Sequence, residues 1–167
     1  MRAQDLNPPP KWMTTQTQLS QQPRTATGTL PEKHQFPIFV ETHRATMTQD
    51  IYRTVKWVER NPEIRFNGDF SHYYTGHEMI YGDFEKKLDF LAPVLERVRF
   101  IHGRIGDSCC MQIEVTDLEA THVKHFREFW IRSFVGFLKT ARPGDYFCFA
   151  PELLASKDGV RPLLATS

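Results

Sequence analysis

Four short apolar runs, each followed at once by a side chain that can bind a metal ion, constrain the fold of this chain most. The runs and the residues that end them are 37–40 with Glu41, 64–68 with Asp69, 98–101 with His102, and 146–151 with Glu152. Segments with helical spacing of apolar residues separate them. Strands that alternate with helices predict a parallel α/β sheet, in which all strand C-termini meet at one edge. Four side chains are therefore predicted to converge there.

The spacing of these residues supports the same topology. Glu41 and Asp69 are 28 positions apart and Asp69 and His102 are 33 apart, close to the ~30 residues of a βαβ unit. The pattern predicts helices over 48–60, 84–97 and 122–140, with Thr48 and Asp83 as caps of the first two. Long loops are expected over 70–82 and 103–121, and the second explains the 50 positions between His102 and Glu152.

The ends of the chain differ from its middle. Residues 1–35 are dominated by Gln, Thr and Pro, and their few large apolar residues show no period. Such a segment cannot bury enough apolar surface to offset its loss of conformational entropy, so we predict that it is disordered. The folded domain is expected over 36–155, and 156–167 is expected to be a tail without a pattern.

Composition excludes several classes of protein. The chain has 167 residues and a net charge of +1, which argues against binding to nucleic acid or to an anionic membrane. No apolar run approaches the ~20 residues of a membrane span, and the N-terminus has no signal-peptide pattern. Three cysteines without a CxxC pair favour a reducing, cytoplasmic location.

Crowded carboxylates need a compensating charge, which a divalent cation can supply. Three carboxylates and one imidazole suit Mn²⁺, Mg²⁺, Co²⁺ or Zn²⁺, with coordination positions left for a substrate. The simpler interpretation is that each acidic residue caps the following helix or lies in solvent.

Other polar residues near the strand ends have weaker patterns. His72 could bind substrate or metal, or lie on a surface loop. His43 shares a face with Glu41, because side chains alternate along a strand, and fits a supporting role better than that of a ligand. Arg44 and Arg104 follow strand ends, where a guanidinium could hold a sugar hydroxyl or a phosphate.

Four motifs give the chain a resemblance to the second half of the sugar phosphate isomerase/epimerase family, the xylose isomerase-like TIM barrels. They are Glu-Thr-His-Arg at 41–44, Asp-Phe-Ser-His at 69–72, Phe-Ile-His-Gly-Arg at 100–104, and Pro-Glu-Leu-Leu at 151–154. The resemblance covers roughly residues 36 to 154.

The resemblance implies a metal-dependent isomerase or epimerase of a sugar or sugar phosphate. It implies a divalent metal bound by four residues, namely Glu41, Asp69, His102 and Glu152. Glu41 and Glu152 would also be catalytic, one removing the proton next to a carbonyl and the other returning it. His72 and Arg104 would bind the substrate, and we place His43 with them.

A complete barrel has eight βα units, and the pattern here gives about four parallel strands. We therefore expect a partial (half) TIM barrel that is a weak enzyme or inactive, or that self-associates through its open sheet edges. The alternative function is a non-catalytic metal-binding or interaction module derived from such a barrel. A phosphodiester-cleaving relative is a third possibility, which the near-neutral charge disfavours.

Overall fold

The structure is a computed structural model, and it describes residues 37–152. The chain divides into two units, Met1–Ile38 and Phe39–Ser167, and every helix and strand below belongs to the second. The segment expected to be disordered, 1–35, and the expected tail, 156–167, lie outside the described residues.

A parallel sheet of four strands forms the centre of the second unit. The strands are β1 (Val40–Glu41), β2 (Phe66–Gly68), β3 (Val98–His102) and β4 (Cys148–Ala150). They lie in the sheet in chain order, and each neighbouring pair is parallel. This arrangement confirms the predicted α/β class and the predicted four parallel strands.

Four helices lie among the described residues, and three of them were predicted. They are α1 (Ile51–Arg60), α2 (Phe70–Gly76), α3 (Phe84–Leu95) and α4 (Thr121–Leu138). Asp83 caps α3 as predicted, because its carboxylate accepts the Lys86 N–H at 3.1 Å. None of the four is long and apolar enough to cross a membrane.

The start of α1 differs from the prediction. Asp50, not Thr48, caps this helix, and its carboxylate accepts the Arg53 N–H at 2.7 Å. The buried hydroxyl of Thr48 instead donates to the Glu41 carbonyl at 2.7 Å and accepts the His43 N–H at 2.9 Å. Thr48 therefore holds the backbone that leaves β1.

The prediction of a loop over 70–82 is wrong for the first half of this segment, which forms α2. Phe70, Tyr73 and Tyr74 are buried, and their spacing places all three on one face of a helix. The carboxylate of Asp69 accepts the Ser71 N–H at 3.1 Å and caps this helix.

The helices cover one face of the sheet and leave the other face half-buried. Phe66, Val98 and Ile101 join the apolar side chains of the helices in one core. A register shift makes this possible, because Val98 pairs with Phe66 while Phe100 pairs with Asn67, so β3 carries one extra residue. The half-buried face bears Asn67 and Phe100.

Candidate metal centre

Glu41, Asp69, His102 and Glu152 come together at the C-terminal edge of the sheet. One ligand atom from each lies within 4.8 Å of those of the other three. The His102 Nδ1 atom lies 3.2 Å from Glu41 Oε1, 2.9 Å from Glu152 Oε2 and 4.0 Å from Asp69 Oδ2. The cluster could therefore hold a metal ion, with the imidazole nitrogen between the carboxylates.

The strand register explains this convergence. Glu41 pairs with Asn67 across β1 and β2, and Asn67 pairs with Phe100 across β2 and β3. Asp69 and His102 each follow one of these positions by two residues. Side chains two positions apart project from the same face of a strand, so both join Glu41 on the half-buried face.

The carboxylate of Asp69 is fully buried and divides its two oxygens between structure and site. Oδ1 accepts hydrogen bonds from the Ser71 N–H at 3.1 Å and the Ser71 hydroxyl at 2.5 Å. Oδ2 faces the cluster and accepts a hydrogen bond from Arg104 Nη2. Asp69 thus fits both interpretations of the sequence, since it caps a helix and lies in the candidate metal centre.

The Oε2 atom of Glu152 provides the test of whether the cluster fits a cation. This oxygen is buried and has no hydrogen-bond donor within residues 37–152. Two nitrogen atoms approach it without forming a hydrogen bond, His102 Nδ1 at 2.9 Å and Arg104 Nη2 at 3.6 Å. A buried carboxylate oxygen without a donor is costly unless a positive charge compensates it, so the residues present fit a metal cation.

Arg104 is buried beside the cluster, with 3% of its side chain exposed. Its Nη2 atom donates to Asp69 Oδ2 and lies 3.2 Å from His72 Nε2, and its Nε atom donates to the Ser71 hydroxyl at 3.1 Å. These contacts fix the plane of the guanidinium group.

His72, predicted to lie in a loop, is buried on α2. Burial lowers the pKa of His72 to about 4, so its ring is neutral at pH 7. The Nε2 atom faces an N–H of Arg104 and acts as an acceptor, which places the ring proton on Nδ1. This Nδ1 has no hydrogen-bond partner among the described residues. The ring of His43 packs against that of His72, with centroids 3.9 Å apart, while Arg44 is exposed.

Asn67 belongs to the site and was not predicted from the sequence. Its amide Nδ2 lies 3.2 Å from His102 Nε2 and 3.4 Å from His102 Nδ1, and its Oδ1 is buried without a donor among the described residues. The signal that could have found it is strand alternation, because Asn67 precedes Asp69 by two positions and shares its face.

Comparisons with models of known protein families, with curated proteins and with solved structures give no significant match to this chain.

Proposed function

We propose that this protein is a metal-dependent isomerase or epimerase of a sugar or sugar phosphate. The observation that supports it is the convergence of Glu41, Asp69, His102 and Glu152, with ligand atoms within 4.8 Å of one another. These four residues would hold Mn²⁺, Mg²⁺, Co²⁺ or Zn²⁺. A cation at this position supplies positive charge that stabilises the negative charge developing next to a carbon as its proton leaves.

The two glutamates are suited to moving that proton. Glu41 ends the outer strand β1 and Glu152 follows the other outer strand, β4, so they approach the cluster from the two lateral edges of the sheet. One carboxylate takes the proton from the carbon beside the carbonyl, and its bonding electrons move toward the carbonyl oxygen. The other glutamate relays a proton from solvent to that carbon on the opposite face, which inverts it, and the first carboxylate then releases its proton to solvent.

Substrate binding is proposed for His72, Arg104 and His43. The buried Nδ1–H of His72 has no partner in the part of the chain that the structure describes, and we propose that it donates to a sugar hydroxyl. His43 packs against the same ring and holds its orientation.

We further propose that the sheet is half of a TIM barrel. Helices cover one face, whereas the face that bears the cluster is half-buried, as expected where an inner barrel surface lacks its remaining strands. Within 37–152, β1 pairs only with β2 and β4 only with β3, so each outer strand keeps a free edge. A second copy of the chain could pair with these edges, and native mass measurements with and without Mn²⁺ test such self-association.

The free edges also favour the second candidate function, a module that binds metal without turnover. Ligands on an incompletely supported sheet can be misplaced by about 1 Å, enough to lower a rate by on the order of a hundredfold.

Hydrogen exchange distinguishes the two functions. The full chain is incubated in D₂O with Mn²⁺ and a panel of ketoses and sugar phosphates, and NMR follows deuterium incorporation at the carbon beside the carbonyl. Exchange requires only proton removal, so it detects a weak enzyme that forms little product. We expect metal-dependent exchange that Glu41→Gln and Glu152→Gln each reduce by about a hundredfold or more.

Glu59→Gln is the matched control, because Glu59 lies on α1, away from the cluster, and forms an ion pair with the exposed Lys56. Metal binding without exchange on any substrate would support the module and refute the enzyme. No divalent binding at all would refute both.

A cytoplasmic location remains a proposal that rests on the cysteines, which are unpaired.

A further inference from the structure

Arg104 brings a positive charge into the cluster that the four ligands do not account for. Its guanidinium is buried, donates to Asp69 Oδ2, and lies 3.6 Å from Glu152 Oε2. The Nε bond to the Ser71 hydroxyl holds it in this position. Arg104 therefore donates to one of the proposed ligands and lies close to a second.

Formal charges give this contact a consequence. Glu41, Asp69 and Glu152 carry three negative charges when ionised, and Arg104 cancels one of them. The other nearby arginine, Arg44, is exposed, so solvent screens its charge. With a neutral His102, the cluster carries two net negative charges, which a divalent cation neutralises.

We propose that Arg104 is a positioning residue that sets the charge of the cluster and so makes it selective for divalent over trivalent cations. This inference rests on the proposed metal site and extends it. Removing the guanidinium charge raises the affinity for every cation, but it raises the affinity for a trivalent ion more, because the repulsion from Arg104 grows with the charge of the bound ion. A residue that only held Asp69 in place would alter both affinities alike.

The test measures the affinities of the full chain for Mn²⁺ and Tb³⁺ separately by calorimetry. Arg104→Met and Arg104→Gln remove the charge, and Arg104→Lys keeps it without the planar fork. Lys124→Met removes one positive charge from an exposed pair with Glu119, and serves as the matched control.

We expect the ratio of Tb³⁺ to Mn²⁺ affinity to rise by about tenfold or more in both neutral variants. Arg104→Lys and Lys124→Met are expected to keep the wild-type ratio. An unchanged ratio in the neutral variants overturns the proposal, as does an equal rise in Lys124→Met.

Loss of Arg104 leaves Asp69 buried and unpaired, so a neutral variant can unfold without metal. In that case we expect Tb³⁺ to restore its circular dichroism spectrum at a lower concentration than Mn²⁺. Equal concentrations, or no recovery with either ion, would overturn the proposal. Its failure is separable from failure of the proposed function, since the latter shows as absent Mn²⁺ binding in the wild-type chain.

Discussion

The amide of Asn67 lies against the ring of His102 and is nearly equidistant from its two nitrogens, 3.2 Å from Nε2 and 3.4 Å from Nδ1. The amide nitrogen therefore makes no single in-line hydrogen bond to either. A half-turn of the amide would place Oδ1, which has no donor among the described residues, beside Nε2. With a rotation of the imidazole ring that brings the Nε2–H into line, Oδ1 can accept this proton and keep the Nδ1 lone pair free for a metal ion.

We predict that Asn67→Leu lowers the affinity for Mn²⁺ by about 10- to 100-fold, the usual effect of losing a partner of a metal-binding histidine. Asn67→Asp keeps an oxygen acceptor and is expected to bind at least as tightly as the wild type. Calorimetry measures both affinities. Wild-type affinity in Asn67→Leu would show that the amide does not orient His102.

Gly136 on α4 is predicted to tolerate no side chain. A Cβ atom there would lie 2.5 Å from Glu96 Cα and 3.2 Å from the Leu95 carbonyl oxygen. These are backbone atoms, so relief requires α4 to move, and we expect Gly136→Ala to lower the free energy of unfolding by about 1–3 kcal/mol.

Gly76, at the end of α2, is the control for Gly136, since a Cβ there would meet nothing within 4 Å. Gly76→Ala is expected to be neutral or to stabilise by about 0.4–1 kcal/mol. Urea denaturation measures both variants. Equal effects would mean that α4 can move away from the C-terminal end of α3 without cost.

The pH dependence of stability should include a contribution from His125. The Tyr74 hydroxyl and His125 Nδ1 are 2.8 Å apart, and the ring stacks on Phe84 with centroids 3.6 Å apart. Burial, with a smaller effect of His122, lowers the pKa of His125 below its ordinary value. As the pH falls below about 6.5, His125 therefore takes up a proton in the unfolded chain before it does so in the folded chain. The free energy of unfolding decreases until the pH reaches the pKa of His125 in the folded chain.

His125→Asn keeps an acceptor for the Tyr74 hydroxyl and removes the titration. We expect the free energy of unfolding of the wild type to fall relative to that of His125→Asn as the pH falls from 7.5 to 5. This difference cancels the contribution of His72, whose pKa burial also lowers. A difference that is constant across this range would contradict the prediction.

The strand ends and most helices could be predicted because each depends on local chemistry. Alternating segments placed Glu41, Asp69 and His102 at one edge, and the N-cap pattern identified Asp83. The helix α2 was missed because the Gly and Tyr content of 70–82 suggested a loop, although Phe70, Tyr73 and Tyr74 have helical spacing.

The sequence of β3 alone could not predict which of its side chains face the helices. Strict alternation would place Val98 and Phe100 on one face, but the extra residue in β3 puts Val98 in the helix-covered core with Phe66. Phe100 instead lies beside His102, with ring centroids 5.3 Å apart. Such a bulge is set by pairing with β2, a partner distant in sequence, so no pattern within β3 reveals it.

The last prediction concerns the buried pair of Asp69 and Arg104. Asp69→Asn keeps a side-chain oxygen that can cap α2 but leaves Arg104 buried without its carboxylate partner. Removing one partner of a buried ion pair typically costs about 3–5 kcal/mol of stability, whereas replacing both partners is often close to neutral. We therefore expect Asp69→Asn to be strongly destabilised, and Asp69→Asn combined with Arg104→Met to be more stable than the sum of the two single effects. The exposed pair of Lys56 and Glu59 is the control, and Glu59→Gln should cost no more than about 1 kcal/mol. Denaturant unfolding of the metal-free variants measures all four values. Additive effects at Asp69 and Arg104 would show that the two charges are stabilised independently. Arg104 would then not cancel a negative charge of the cluster.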